Sequence, residues 1–162
     1  MDNFVRNLIE YQGIDAYEDE VCPLKETTTF KQTTIDVNLC VPKEKPDIEQ
    51  VVKVSIKKEV VKYKVVKTPV GISEEGQEIT GNKLLVMGDI ILKIFYVADE
   101  PEQSMHSFHV VIPFCEYVVL PLTFKGFSVV SPEIYVEDVY VRKQDSRCLF
   151  GNVTLLTVAD LC

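Results

Sequence analysis

The chain has only two histidines, His106 and His109, three residues apart in a segment that alternates apolar and polar side chains. Paired imidazoles are common metal ligands. On a strand, however, residues three apart point to opposite faces and cannot close on one ion as helical histidines can. No metal is expected. The run Gly71-Ile72-Ser73-Glu74-Glu75-Gly76 has the wrong spacing for a nucleophile elbow, and no glycine-rich loop has the pattern that cradles phosphate. Cys115 as a nucleophile would need a base, for which His109 is the sole candidate close in sequence; a small core thiol is the expectation. The sequence thus predicts no catalytic residue, no cofactor and no enzyme.

The cysteines are Cys22, Cys40, Cys115, Cys148 and Cys162, with no C-x-x-C pair to suggest a zinc knuckle or a redox couple. Cys40 and Cys115 lie inside apolar runs and are expected as buried thiols. Cys162, the last residue, and Cys22, beside Pro23 in a polar stretch, are the candidates for an intermolecular disulfide under oxidising conditions.

Charge is unevenly placed. Asp15, Glu18, Asp19 and Glu20 form an acidic run without the alternating ligands and glycine of a calcium loop, which predicts a solvated arm. Lys53, Lys57, Lys58, Lys62, Lys64 and Lys67 crowd one segment of an otherwise acidic chain. Lysines of this kind protect a strand edge from unwanted pairing. They could also receive the acidic arm of a neighbouring copy in a head-to-tail contact that propagates into a fibre or lattice. Phe4 and Leu8 in the first segment are further candidates for self-association, either packing on their own sheet or docking in a partner's groove.

Elements must position these groups. Residues 2–11 place Phe4, Val5, Leu8, Ile9 and Tyr11 at helical spacing, with Asp2 or Asn3 as cap and Gly13 as stop, which predicts a short amphipathic helix. With the acidic arm it makes up residues 1–27, ahead of a β domain over 28–162. From Thr28 the composition turns to Val, Ile, Thr, Tyr and Phe, and the period to two. Strands are predicted over 29–41, 51–67 (long or bulged), 83–97, 104–113, 133–142 and 147–158, with shorter runs over 115–122 and 124–130. Residues 68–82, with three glycines and three glutamates, read as an exposed, mobile loop. Residues 84–97 are apolar on both faces, the mark of a central strand. The fold class is all-β, an antiparallel sandwich or barrel-like pair of sheets with a short N-terminal helix and arm.

Bulk properties agree. The chain has 162 residues, 46% hydrophobic and 26% charged, the balance of one globular domain. Its 25 acidic and 17 basic residues give a net charge of −8, which favours protein partners over nucleic acid. The acid at Asp2 and the lack of a following apolar core argue against a secretory signal, and no stretch is long and apolar enough for membrane insertion. Synthesis in a cytoplasm is expected.

The run Val41-Pro42-Lys43-Glu44-Lys45-Pro46-Asp47-Ile48-Glu49-Gln50-Val51-Val52, then Lys93-Ile94-Phe95-Tyr96-Val97-Ala98-Asp99, then His106-Ser107-Phe108 through Ile112-Pro113-Phe114, resembles the SPOCS domain of spore-forming clostridia. The resemblance spans roughly residues 33–121, and the segment Glu137-Asp138-Val139 extends it. It implies a role in spore coat and cortex assembly, made in the mother cell and deposited on the spore coat or surface. The morphogenetic members add a small peptidoglycan-binding module, for which this sequence offers no candidate. The implied role is a structural building block that associates with itself, as a homo-oligomer or fibre, and with other spore coat proteins. An adaptor docked on a morphogenetic protein is the alternative; a polysaccharide-binding β-module or a cortex-modifying enzyme is a further one.

Overall fold

The computed structural model describes residues 4–15, 29–125 and 130–161, and its main elements are all β-strands. Eight strands follow in order: β1 (Phe4–Arg6), β2 (Ile9–Gln12), β3 (Thr29–Cys40), β4 (Ile48–Ile72), β5 (Glu78–Ala98), β6 (Met105–Val119), β7 (Val130–Lys143) and β8 (Cys148–Leu161). They form a five-stranded sheet in the order β1-β2-β4-β5-β6 and a three-stranded sheet in the order β3-β8-β7. Every pairing is antiparallel except β2 with β4, which is parallel.

Alternation builds the core. On β5 the side chains of Leu84, Val86, Ile90, Leu92, Ile94 and Tyr96 are fully buried, and across from them stand Val153 and Leu155 of β8 and Val136 and Val139 of β7. Each such side chain withdrawn from water contributes about 1.5–3 kcal/mol, which is what holds the two sheets face to face. Gly88 interrupts the apolar series because a Cβ there would lie 2.2 Å from the Glu59 carbonyl oxygen and 2.8 Å from the Phe114 ring. The missing side chain is the space into which that ring packs.

One end of the sandwich is closed by the connector between β3 and β4. Val41 N–H donates to the Arg147 carbonyl at 2.8 Å, and Ile48 N–H to the Ser146 carbonyl at 2.7 Å. The Arg147 guanidinium donates to the Asp47 carboxylate at 2.7 Å and to the Pro42 carbonyl at 2.9 Å, while the Tyr96 hydroxyl donates to the Pro46 carbonyl at 2.8 Å. Burial pushes the Tyr96 phenol above its ordinary pKa. The run of residues 41–52 is therefore a clamp between sheets.

Four expectations need correction. The segment predicted as an N-terminal helix is a hairpin, β1 and β2, joined by Asn7 and Leu8 with φ of 52° and 67°. Two consecutive positive φ values make the primed turn that suits the twist of paired strands. Ile9 and Tyr11 are buried with Glu10 and Gln12 between them, a period of two that wins because β2 hydrogen-bonds to β4. Residues 68–82 are not a loop: β4 continues to Ile72 and β5 starts at Glu78, with the turn confined to residues 73–77. The glycines there serve the turn and the register shift between Lys67 and Val70. β6 runs through Pro113 without a break, since it is the edge strand of its sheet, where proline is tolerated. Last, Cys40 is no buried thiol. Leu39 takes the inward position, Cys40 is exposed, and it forms a disulfide with Cys148, its partner in the β3–β8 register, with Cα atoms 4.1 Å apart. Cys115 likewise is exposed, because Phe114 fills the inward position.

Candidate assembly surface

The lysine-rich segment is one strand, β4, and its register with β5 decides where each lysine points. Lys53 pairs with Phe95 and Lys57 with Ile91, placing both on the face turned away from the core. Ile56 pairs with the buried Leu92, so Lys58, two residues on, falls on the core side. A strict period of two would then send Lys62 and Lys64 to the core side as well. The register shift between Val60 and Lys62 leaves Val61 as an extra residue, and Lys62 and Lys64 return to the outer face opposite Met87 and Leu85. The bulge thus turns Lys62 and Lys64 onto the outer face that Lys53 and Lys57 already occupy, while Lys58 stays inward.

Lys58 has an internal partner. Its ammonium forms an ion pair with Asp15, which is buried, and the same Asp15 oxygen, Oδ2, accepts the Val136 N–H at 2.6 Å. Asp15, expected in a solvated arm, therefore sits between β4 and β7. Arg6 of β1 reaches Asp138 of β7 at 2.8 Å, and the Tyr11 hydroxyl accepts the Val141 N–H at 3.0 Å. Desolvation raises the Tyr11 pKa, against the opposing effect of that hydrogen bond. β7 is an edge strand, and Asp15 and Tyr11 of the N-terminal segment cover its outward N–H groups at Val136 and Val141. Gly13 permits the approach: its φ is 97°, and a Cβ there would stand 2.2 Å from the Ile56 carbonyl oxygen.

Of the other candidates, Leu8 lies at the apex of the first turn and is 77% exposed, and Phe4 opens β1. Glu18, Asp19, Glu20, Cys22 and Cys162 fall outside the described residues. His106 stacks on Tyr96 with ring centroids 5.8 Å apart on the core side of β6, and His109 is on the outer side, so the two imidazoles diverge. Among the described residues no group of three or more His, Cys, Asp or Glu side chains could hold a metal ion, and no helix is long and apolar enough to cross a membrane.

The exposure expected of residues 68–82 belongs to a projecting pair of strands instead of a loop. β6 ends opposite Lys83, so beyond Lys67 and Asn82 the β4–β5 hairpin goes on as two strands only. This projection carries Val70, Ile72 and Ile79, the first two more than 70% exposed, and the preceding part of β4 carries Val61, Tyr63 and Val65, also exposed. Two-stranded ribbons are marginal by themselves in water, and uncovered apolar rows of this kind mark contact surfaces.

The family described as "SipL, SPOCS domain" matches residues 47–144, from the start of β4 to the end of β7. No curated protein and no solved structure matches the chain. With that match covering more than half its length, the chain belongs to the SPOCS-domain family of sporulation-related proteins.

Proposed function

We propose that the protein is a structural building block of the bacterial spore envelope, deposited on the coat or spore surface and acting through contacts with copies of itself and with other coat proteins. Family membership supports the sporulation role. The observation that carries the contact role is the projecting β4–β5 hairpin, whose exposed Val70 and Ile72 contribute nothing to the core of their own chain. The described groups with shifted pKa are structural: Tyr11 and Tyr96 are held up by burial, and Asp145 is held low by accepting the Arg147 and Cys148 N–H groups in the β7–β8 turn. A binding and assembly protein fits this arrangement better than a hydrolase.

Light scattering and negative-stain microscopy of the purified chain test the reading. Ordered oligomers or fibres are expected, and Val70→Asp with Ile72→Asp should disperse them while leaving the melting temperature unchanged. A chain that stays monomeric at high concentration and is retained by no other coat protein would sink the proposal; a monomer that binds one coat protein through the same hairpin would favour the adaptor.

A further inference from the structure

We propose that the outer face of the five-stranded sheet carries a binding site for a compact polyvalent oxyanion, one bearing two or more carboxylate or phosphate groups. The site follows from register. Gln12 of β2 pairs with Ser55 of β4, Ser55 with Lys93 of β5, and Lys93 with His109 of β6. Partners in register share a face, so these four polar side chains form one row across four strands. Lys53 stands one row to one side and Lys57 one row to the other. Together they line an open depression of roughly 370 Å³, with Phe95 and Ile91 as its apolar floor.

Three features set this depression apart from an ordinary lysine-bearing surface. First, its lining holds three lysines, a histidine, an amide and a hydroxyl but no carboxylate, in a chain whose acids outnumber its bases by 25 to 17. The nearest acids lie outside it: Glu10 flanks Lys53 on the β2 side, and Glu59 and Asp89 begin the next row beyond Lys57 and Ile91. Second, among the described residues Lys53, Lys57 and Lys93 form no ion pair, whereas Lys58 on the opposite face does. Third, one ring gathers two of the cations. The Lys53 and Lys93 ammonium groups lie 5.7 and 5.0 Å from the centroid of Phe95, so both cations are drawn to one ring. The like charges of Lys53, Lys57 and Lys93 repel one another, and an anion with several oxygens relieves that repulsion while the Ser55 hydroxyl helps to orient it. An open site lined by three cations suits a small multivalent anion better than a monovalent one.

Isothermal titration calorimetry at low ionic strength decides the matter, with citrate and tripolyphosphate as the two probes and acetate as the monovalent control. Saturable one-site binding of at least one polyvalent probe is expected, with acetate at least tenfold weaker; whichever probe binds more tightly tells carboxylate from phosphate. Lys53→Gln with Lys93→Gln should weaken it at least tenfold. Lys62→Gln with Lys64→Gln removes the same charge from the same face outside the depression and should change it less than twofold. Thermal melting establishes that both variants are folded. An absence of saturable binding, or equal losses in the two double variants, overturns the site. A preference for an acidic peptide over both small probes also overturns it, in favour of a protein-docking surface. None of these readouts depends on whether the chain assembles.

Discussion

Asp15 and Lys58 are joined across the open side of the sandwich, and the Asp15 oxygen that holds Lys58 also holds the Val136 N–H at 2.6 Å. One carboxylate thus ties the residue following the N-terminal hairpin to both sheets. Asp15 is almost wholly buried while Lys58 keeps part of its exposure, so the pair is worth less than a fully buried one. Asp15→Ala leaves a backbone donor and an ammonium without their acceptor and should lower unfolding stability by about 2 kcal/mol. Asp15→Asn keeps an oxygen for Val136 and should recover part of that loss. Urea titration of the three proteins measures it; equal stability for all three would mean that the contact contributes nothing.

The turn that makes the first hairpin sets a second expectation. Leu8 occupies φ 67° at an exposed position, a conformation that costs a branched side chain and suits glycine. Leu8→Gly relieves the strain but adds chain entropy to the unfolded state, leaving a net gain of roughly 0.5 kcal/mol. Leu8→Val, with branching at Cβ, should instead cost about 1 kcal/mol. Opposite signs in chemical denaturation identify the primed turn; in a helix both substitutions would be destabilising.

How far these features were legible in the sequence depends on how distant the deciding partner is. The apolar face of β5, from Leu84 to Tyr96, is written locally, and the two-sheet architecture follows from such stretches. Residues 4–12 satisfy both periods: Phe4, Leu8 and Tyr11 suit a helix, while Ile9 and Tyr11 suit a strand. The choice falls to distant partners: β4, on which β2 pairs, and Asp138 and Val141, some 130 positions away, which hold Arg6 and Tyr11. In the assembly surface, the crowding of lysines was visible, but their division between faces depends on the bulge at Val61, which leaves no mark in residue type. The Cys40 pairing had one local sign, since Leu39 and Cys40 cannot both face the core of a strand. Its partner could not be read, because the register of β3 with β8 is a property of the whole fold.

That disulfide gives a third expectation. Cys40 and Cys148 are 108 residues apart, and closing a loop of that size restricts the unfolded chain by up to about 4.7 kcal/mol in the chain-entropy account. Reduction with dithiothreitol should shift the unfolding midpoint downward, and Cys40→Ser with Cys148→Ser should show the same midpoint with or without reductant. A non-reducing peptide map should recover the Cys40–Cys148 link from monomer. If reduction leaves the wild-type midpoint in place, the bond is not formed in solution.

The last expectation concerns alkaline pH. The Tyr11 phenol is held neutral mainly by desolvation, so its pKa in the folded chain is raised above its unfolded value of about 10. A raised pKa means that the stability contributed by the neutral phenol is fully present below pH ~10 and is lost as pH climbs through the folded value, because the unfolded chain gives up the proton first. Tyr11→Phe removes the acceptor of the Val141 N–H and should cost about 1 kcal/mol near neutrality. It also removes the group responsible for this share of the alkaline loss, so wild type and variant should converge in stability between pH 9 and about 11. Urea titrations of both proteins across that range supply the comparison. A constant gap between them would show that the Tyr11 hydroxyl titrates as freely in the folded chain as in the unfolded one, and that its hydrogen bond to β7 does not depend on burial.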